Sequence, residues 1–311
     1  MKIINDTLAF RIPENSAVTL GKFDGIHKGH QKLMRKILEK KAQGLQSVVF
    51  TFGQMPGTVF LGNKGRTILT KTERQRHLEQ MGIDYMIECP FVPEIISMEP
   101  ENFIREVLVG QLHAKYIAVG PDFRYGHQRK GDDELLKKMS RTYGYEVEVF
   151  RKECLKGQEI SSTYVRKMLE AGEMETVEQL LGYPYYVSGL IVRGHQIGRT
   201  IGIPTINILP DEEKMLPPNG VYFTRTMIEG KQVFGITNIG VKPTVSGNEA
   251  KGIETHLLDF DGDLYGRNLT VEFYAFERPE QKFDSLESLK LQLADDVRWG
   301  KEQMRRRGFS M

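Results

Sequence analysis

The chain changes its pattern once, close to residue 183, and this change limits the folds that it can adopt. Before that point, short apolar segments alternate with segments that carry apolar residues on one helical face. After it, short segments rich in β-branched and aromatic residues are separated by turns that contain Gly, Pro and Asn. The first pattern predicts a parallel sheet covered by helices, and the second predicts an antiparallel meander or barrel. We therefore expect two domains, residues 1–183 and residues 184–311.

In the first part, predicted strands and helices alternate along the chain. The strands are expected at Ala17–Leu20, Ser47–Phe52, Tyr85–Ile87, Tyr116–Val119 and Tyr145–Phe150. The helices are expected at Gln31–Lys41, Thr72–Met81 with Thr72 as its cap, Glu101–Val109, Asp133–Thr142 and Tyr164–Ala171. Because ligands bind at the carboxyl ends of parallel strands, the loops after Leu20, Phe52 and Val119 are candidate binding loops.

In the second part, an all-β pattern precedes one helix. The strands are expected at Tyr185–Val192, Val221–Ile228, Gln232–Ile239, Glu254–Asp259 and Leu269–Phe276. The segment Ser285–Met304 carries leucines and a valine at helical spacing, which predicts an amphipathic C-terminal helix. The boundary between the parts is placed at Leu181-Gly182-Tyr183-Pro184, where a predicted helix ends before a proline.

Charge and composition exclude several classes of protein. The 311 residues carry a net charge of +2, and residues 1–183 and 184–311 contribute +3 and −1, so neither part is a basic pole for nucleic acid. No apolar run approaches the roughly 20 residues that span a bilayer. Cys89 and Cys154 lie far apart and fit no metal-binding spacing. We expect a cytoplasmic protein with two reduced thiols, a monomer or weak homo-oligomer that binds neither membrane nor nucleic acid.

The first candidate site is the glycine-rich segment from Gly21 to His30, between a predicted strand and a predicted helix. Glycines allow a ligand to approach the backbone closely, and a helix N-terminus presents N–H groups that bind phosphate. His27 and His30 are three residues apart and share one face of the first helical turn. Two imidazoles there can stabilise the charge of a leaving pyrophosphate. Taken alone, such a pair is more often two solvent-exposed loop histidines, and the strand–loop–helix context favours phosphate binding.

Three segments of the first part resemble known signatures. His27-Lys28-Gly29-His30 matches the His-x-Gly-His signature of the nucleotidylyltransferase superfamily. Ser161-Ser162-Thr163-Tyr164-Val165-Arg166 resembles the Ser/Thr-rich element with an arginine that occurs late in the same domain. Gly120-Pro121-Asp122-Phe123-Arg124-Tyr125-Gly126 resembles the Gly-x-Asp-Phe-Arg-Phe-Gly loop of bacterial FAD synthetases. The hydroxyl groups can cap a helix and donate to phosphate, and an arginine can bind phosphate as a fork.

Two segments of the second part resemble riboflavin kinases. Gly198-Arg199-Thr200-Ile201-Gly202-Ile203-Pro204-Thr205-Ile206-Asn207 is similar to their Gly-Arg-x-x-Gly-x-Pro-Thr-Ala-Asn signature. The run from Glu254 to Gly266 matches their Glu-Thr-His…Asp-Phe-x-x-Asp-Leu-Tyr-Gly pattern. The resemblance implies that Thr205 and Asn207 bind Mg²⁺, an ion that prefers oxygen ligands, and that Glu254 is the general base. Without this resemblance, Thr205 and Asn207 would be interpreted as part of a turn and the start of a strand, and Glu254 as a surface charge.

From about residue 15 to residue 306, the chain resembles the prokaryotic bifunctional riboflavin kinase/FMN adenylyltransferase family. The resemblance implies an α/β fold: a Rossmann-like parallel-sheet nucleotidylyltransferase domain, then a β-barrel riboflavin kinase domain with a C-terminal helix. It also implies phosphorylation of riboflavin to FMN by MgATP, then adenylylation of FMN by ATP to FAD and pyrophosphate. His27, His30 and Arg166 would hold the triphosphate. Further residues implied to contact nucleotide or flavin are Gly21, Phe23, Asp24, Gly25, Gly29, Asp122, Arg124, Ser161, Ser162, Thr163, Gly198, Arg199, Thr200, Gly202, Gly220 and Tyr222.

Two departures from the family pattern concern the first domain. Lys22 stands where the family has Asn, and Gly53-Gln54-Met55-Pro56 replaces a loop that in the family contains Pro and His. They leave open an alternative, a riboflavin kinase whose N-terminal domain is degenerate. A second alternative is a flavin-responsive regulator that binds RNA, against which the even charge distribution argues. Such a regulator would retain RNA, and added salt would weaken that binding steeply.

Overall fold

The computed structural model describes residues 1–53, 65–194, 203–243 and 249–309. The chain forms two compact units, residues 1–162 and 163–311. Over the described ranges, no helix has both the length and the apolar character needed to cross a membrane. Cys89 is buried and Cys154 is exposed, and both thiols are free.

The first unit is built on a six-stranded sheet. Its strands are β1 Lys2–Asn5, β2 Ser16–Leu20, β3 Gln46–Phe52, β4 Tyr85–Cys89, β5 Ala114–Val119 and β6 Glu146–Val149. Their spatial order is β1-β4-β3-β2-β5-β6, and every neighbouring pair is parallel. All five residues of β2 are buried, as expected for a central parallel strand that is covered on both faces. The predicted parallel sheet is confirmed.

The direction of the chain through this sheet reverses beside β2. The next strand along the chain, β3, pairs with one edge of β2, whereas β5 pairs with the other edge. In open parallel sheets, such a reversal leaves a crevice at the carboxyl ends of the two strands. The loops after Leu20 and Val119 border this crevice, so two of the three predicted binding loops meet at one place.

Helices cover the sheet of the first unit. They are α1 Lys28–Glu39, α2 Lys71–Gln80, α3 Pro93–Ile96, α4 Pro100–Asn102, which continues as a π-helix over Phe103–Gln111, and α5 Asp133–Tyr143. A small hairpin, β7 Cys154–Leu155 and β8 Gln158–Glu159, follows β6. The buried side of α1 carries Leu33, Met34 and Ile37, as expected of the amphipathic helix predicted over Gln31–Lys41.

Three local expectations for this unit are corrected. Strand β1, an exposed edge strand, is absent from the predicted elements. Helix α2 is capped by Thr70 and not by Thr72, because Thr70 Oγ1 accepts a hydrogen bond from the Glu73 N–H at 3.2 Å and Glu73 accepts one from the Thr70 N–H at 3.0 Å. The segment predicted as an α-helix over Glu101–Val109 is largely a π-helix, closed by a 3.0 Å bond from the Leu112 N–H to the Val107 carbonyl.

The second unit contains a closed antiparallel barrel. Its strands are β9 Tyr185–Val192, β10 Thr205–Leu209, β11 Gly220–Ile228, β12 Lys231–Pro243, β13 Glu249–Leu257 and β14 Asn268–Arg278. Around the barrel the order is β10-β13-β12-β11-β14-β9, and β9 pairs with β10 to close it. The predicted barrel is confirmed. Strand β10, which is not among the predicted strands, is the one that completes the closure.

The C-terminal helix covers part of the barrel wall. This helix, α8 Leu286–Arg306, begins at the cap Ser285, as the amphipathic pattern predicts. Its Met304 lies in a buried apolar cluster with Phe223, Phe234 and Tyr274, against which Val297 and Trp299 also pack. Burial of these side chains holds the helix against the sheet.

Two helices precede the barrel, α6 Ser162–Glu170 and α7 Met174–Leu181. By their contacts they belong almost entirely to the second unit, whereas the predicted boundary at residues 183/184 lies after them. Glu178 of α7 forms an ion pair at 2.8 Å with Arg307, the residue that follows the end of α8. Long-range pairings of this kind decide where a compact unit begins, and local sequence patterns do not contain them.

Candidate active sites

The first pocket lies at the carboxyl ends of β2 and β5, where the direction of the sheet reverses. The loop after β2 and the start of α1 line one part of this pocket. The loop after β5 and the segment after β6 supply the other walls. The predicted site residues that line this pocket are Gly21, Phe23, His27, Gly29, His30, Asp122, Ser161 and Ser162. The structure thus brings together three segments that are far apart in the sequence.

The loop after β2 has a strained backbone. Phe23, Gly25 and Ile26 have φ of 51°, 77° and 37°, a region that costs energy for residues other than glycine. Asp24 holds this loop: its Oδ1 accepts a hydrogen bond from the Ile68 N–H at 2.9 Å, and its carbonyl accepts one from Ser162 Oγ at 2.8 Å. Neither Asp24 nor Gly25 lines the pocket. Their contribution visible in the structure is the shape of the loop.

His27 and His30 form a stacked pair inside the pocket. Their ring centroids are 3.7 Å apart and the planes differ by 20°. Burial lowers the pKa of His27 to about 4, and burial together with the neighbouring His27 lowers the pKa of His30 well below its usual value. Both rings are therefore neutral near pH 7. Each Nδ1 is buried without a hydrogen-bond partner in another described residue, so the pair retains unused hydrogen-bonding capacity.

Three other predicted residues of this site are not among those that line the pocket. Arg124 is exposed and donates to the Phe123 carbonyl at 2.7 Å. Thr163 and Arg166 lie on α6, which belongs to the second unit from Thr163 onward. Contact of these three residues with a triphosphate stays a prediction.

Arg151 and Lys152 also line the pocket, and sequence reasoning missed them. Lys152 Nζ lies 3.4 Å from Asp122 and 3.0 Å from Glu159, and these carboxylates raise its pKa. The available signal was a basic pair directly after the last strand of a parallel sheet, an edge where ligands bind.

In the second unit, polar residues form a row across three neighbouring strands. Glu254 on β13 lies opposite Asn207 on β10 and opposite Asn238 on β12. Thr205 lies opposite His256, two residues along each strand. Directly opposite residues, and residues two apart on one strand, project from the same face. The predicted base and both predicted metal ligands therefore share one face of the barrel.

This face borders a pocket beneath α8. Thr205, Glu254, His256 and Asn238 supply its polar side. Phe283 and three apolar side chains of α8 also line it, namely Leu289, Leu293 and Val297. A pocket lined by both apolar and polar groups fits a ligand with an aromatic ring system and a hydroxylated chain.

The oxygen donors at this site fit Mg²⁺ in chemical type. Thr205 and Asn207 offer a hydroxyl and an amide oxygen, and hard divalent cations prefer such ligands. A Cβ on Gly194 would lie 2.5–2.7 Å from the Asn207 amide, so only glycine lets the chain after β9 come this close. Over the described ranges, no group of three or more His, Cys, Asp and Glu side chains could hold a metal. Mg²⁺ usually keeps several water ligands and is bound by one or two protein groups together with substrate phosphates.

The remaining predicted residues of the second site have other positions. Tyr222 is fully buried and donates to the Pro218 carbonyl at 2.6 Å, and Gly220 begins β11 beside Ile239. Neither lines the pocket beneath α8. Gly198, Arg199, Thr200 and Gly202, like the departure at Gln54–Pro56, lie outside the described residues. The residues missed by the sequence reasoning are Arg278, Glu280 and Asp296, which line this pocket without a local motif.

Comparison with known proteins gives two family matches. The family model described as FAD synthetase matches residues 9–164, and the one described as riboflavin kinase matches residues 181–304. The matches thus leave out most of α6 and α7.

Similar proteins span nearly the whole chain. The bifunctional riboflavin kinase/FMN adenylyltransferase of Escherichia coli K12 is 39% identical over 91% of both chains. The protein of the same description from Haemophilus influenzae is 35% identical over 94% of this chain and 96% of its own. A solved structure described as a macrolide-efflux protein from Streptococcus pneumoniae has a TM-score of 0.85 and 30% identity, covering 96% of this chain and 98% of that one.

Proposed function

Because the chain belongs to the bifunctional riboflavin kinase/FMN adenylyltransferase family, we propose that the pocket beneath α8 phosphorylates riboflavin and the pocket beside β2 adenylylates FMN. The chain is an enzyme with both activities, and its substrates are riboflavin, FMN and ATP. The observation that carries the division of labour is that, among the residues the structure describes, each pocket is lined by those of one unit. Each pocket also contains its own reactive side chains.

In the kinase step, Glu254 acts as the general base. The isoalloxazine ring of riboflavin packs against the apolar side chains of α8, which directs the ribityl chain toward the polar row of Glu254 and Asn238. The Glu254 carboxylate accepts the proton of the 5′-hydroxyl while that oxygen attacks the γ-phosphorus of ATP. The bond from phosphorus to the bridging oxygen breaks, and ADP leaves. Thr205 and Asn207 would hold Mg²⁺, which neutralises phosphate charge when bound.

In the adenylyltransferase step, the protein supplies binding and charge stabilisation. A phosphate oxygen of FMN attacks the α-phosphorus of ATP, and the bond to the leaving pyrophosphate breaks. The neutral rings of His27 and His30 donate hydrogen bonds to the triphosphate, and we propose that Arg166 binds it as well. As negative charge develops on pyrophosphate, the imidazoles gain affinity for protons, because a nearby anion raises their pKa.

The built pocket in each unit favours this function over a kinase with a degenerate N-terminal domain. A decayed site would be expected to lose the stacked pair of His27 and His30 and the strained loop before it lost its core. Neither unit contains the basic pole that an RNA-binding regulator needs. We further propose that the enzyme works in the cytoplasm, as a monomer or weak homo-oligomer, without a nucleic-acid ligand.

The test supplies riboflavin, ATP and Mg²⁺ and separates FMN from FAD. The parent protein is expected to form FMN first and FAD after it. Glu254→Gln should lower FMN formation by about 10²- to 10⁴-fold, the usual contribution of a general base, and should leave FAD formation from supplied FMN intact. The double substitution His27→Ala, His30→Ala should do the reverse. Glu302→Gln, on the exposed side of α8, is the control for the first variant.

Two results would contradict the proposal. If Glu254→Gln abolished both steps, the two reactions would not be divided between the units. If the parent protein accumulated FMN alone, the first unit would not be an adenylyltransferase. Metal dependence is tested with Asn207→Ala, which should raise the Mg²⁺ concentration that the kinase step requires and leave the other step unchanged.

A further inference from the structure

The loop after β2 contains strained backbone. Phe23 and Ile26 have positive φ, and such a conformation costs a residue other than glycine about 1–3 kcal/mol, so it persists only where the surroundings impose it. The two histidines that follow take their positions from this loop. Contacts from outside the loop must therefore set the geometry of the pocket.

Helix α2 and the residues just before it make such contacts at two points. On one side, the N–H groups of Ile68 and Leu69 donate to Asp24 Oδ1 at 2.9 and 3.5 Å. Ile68 is fully buried, and its side chain would lie 3.0 Å from a Cβ on Gly25. On the other side, Arg74 Nη1 donates to the Lys22 carbonyl at 3.4 Å. Residues 68–74 thus contact the loop at its start and at its middle.

Arg74 is itself held by a mostly buried ion pair. Its Nη2 lies 3.2 Å from Glu88 Oε1, and the side chains are only 15% and 10% exposed. Lys71 Nζ lies 2.6 Å from the other oxygen of Glu88. Glu88 belongs to β4, which is separated from β2 by β3. The guanidinium therefore connects a strand two positions away with the backbone of the loop.

A guanidinium suits this task because its donors lie in one rigid plane. One edge can bind a carboxylate while another reaches a carbonyl, whereas an ammonium is a compact point charge on a flexible stem. The position of α2 is well defined, since the Thr70–Glu73 capping box closes its first turn. Arg74 therefore links helix α2, whose position is well defined, to the strained loop after β2.

We propose that Arg74 is a positioning residue for adenylyl transfer, which acts through the Lys22 carbonyl to hold the loop that orients His27 and His30. Arg74 does not line the pocket, so the role does not require contact with substrate. The inference rests on the proposed function of the first unit.

The experiment compares Arg74→Met with Arg74→Lys and with the control Arg76→Met, an exposed arginine on the same helix. With FMN and ATP as substrates, Arg74→Met should lower kcat by about 10- to 100-fold, the penalty of a misplaced reacting group. Its KM for ATP should change less than threefold or so, because the change affects alignment more than ground-state binding. Arg74→Lys should recover part of the rate, since it keeps the ion pair with Glu88. Arg76→Met should behave as the parent protein.

Two further measurements separate positioning from loss of folding. Hydrogen exchange of the backbone amides of residues 23–27 should accelerate in Arg74→Met, whereas exchange in β5 should not change. Phosphorylation of riboflavin, carried out by the other unit, should proceed at the parent rate. The inference is overturned if Arg74→Met retains the parent kcat. It is also overturned if exchange rises throughout the sheet, or if Arg74→Lys, whose ammonium cannot form both contacts, retains the parent kcat. If the parent protein forms no FAD from FMN, the function of the unit fails, and the role of Arg74 in it fails with it.

Discussion

At the scale of single residues, burial determines the chemistry of the His27–His30 pair. A histidine in water would be partly charged near pH 6.5, and two charged rings stacked at 3.7 Å would repel each other. Burial avoids this cost by keeping both rings neutral. Neutral rings still donate hydrogen bonds, and they can take up a proton when an anion arrives. The pair is therefore suited to an anionic ligand without being charged in its absence.

The lowered pKa of His27 predicts a loss of stability in mild acid. The unfolded chain binds a proton near pH 6.5 and the folded protein only near pH 4, so unfolding takes up a proton at pH values between the two. The stability contribution is present above pH 6.5 and is lost as the pH falls toward 4. Between pH 7.5 and pH 5.0, the free energy of unfolding should fall by about 2 kcal/mol because of His27.

The measurement is urea denaturation at both pH values, followed by circular dichroism. His27→Gln should lose about 2 kcal/mol less than the parent protein over this range. The control is His113→Asn, a histidine outside the pocket with φ of 45°, a conformation that Asn tolerates. Equal pH dependence of His27→Gln and the parent would show that His27 does not titrate as its burial requires.

At the scale of elements, the first turn of helix α2 contributes more to the position of the helix than the apolar residues along it. Few of its residues are buried, so its position depends on the cap and on the contacts of Glu73 and Arg74. The pattern of threonines, one at residue 70 and one at residue 72, does not distinguish the cap from a helical residue. The structure makes the distinction, because only at Thr70 is the backbone extended before the first turn.

The two threonines form a matched pair for mutation. Thr70→Ala removes the oxygen that accepts the Glu73 N–H and should lower the free energy of unfolding by about 1 kcal/mol, the usual value of a cap. Thr72→Ala, at an exposed position inside the helix, should change it by less than about 0.5 kcal/mol. Chemical denaturation measures both. Equal losses for the two variants would show that Thr70 is not the cap of α2.

Helix α8 depends on one ion pair in its interface with the barrel. Arg278 of β14 binds both carboxylate oxygens of Asp296, at 3.0 and 2.6 Å. Asp296 is almost completely buried and Arg278 is 18% exposed. Breaking such a pair leaves one charge without its partner in a poorly solvated place.

Asp296→Asn should therefore lower the free energy of unfolding by about 3 kcal/mol. It should also raise the KM for riboflavin, because α8 carries part of the pocket wall. Asp295→Asn is the control, since Asp295 is exposed and pairs with Arg298 on the same helix. Denaturation and steady-state kinetics of FMN formation measure the two effects. If the KM for riboflavin equalled that of the parent, α8 would not contribute to flavin binding.

At the scale of the whole molecule, each unit contributes the described lining of one pocket. This arrangement predicts that two inactive variants complement each other. A mixture of Glu254→Gln with the double variant His27→Ala, His30→Ala should convert riboflavin to FAD, since one protein releases FMN and the other consumes it. Chromatography of the flavins over time measures the result, with each variant alone as the control. Absence of FAD from the mixture would mean that FMN does not pass between molecules.

The sequence alone determined the class of each unit. Periodicities of two and of 3.6 residues predict strands and helices locally, so the parallel sheet, the barrel and α8 were predictable. The histidine pair and Glu254 lie in short motifs that resemble family signatures, and their roles stay predictions.

Only the tertiary structure decided which distant residues meet. Strand pairing placed Asn238 beside Glu254, and the reversal beside β2 brought Arg151 and Lys152 to the first pocket. The same pairing placed Glu88 where Arg74 reaches it. These contacts depend on how strands order themselves in a sheet. That order follows from the burial of the whole core, and no local pattern contains it.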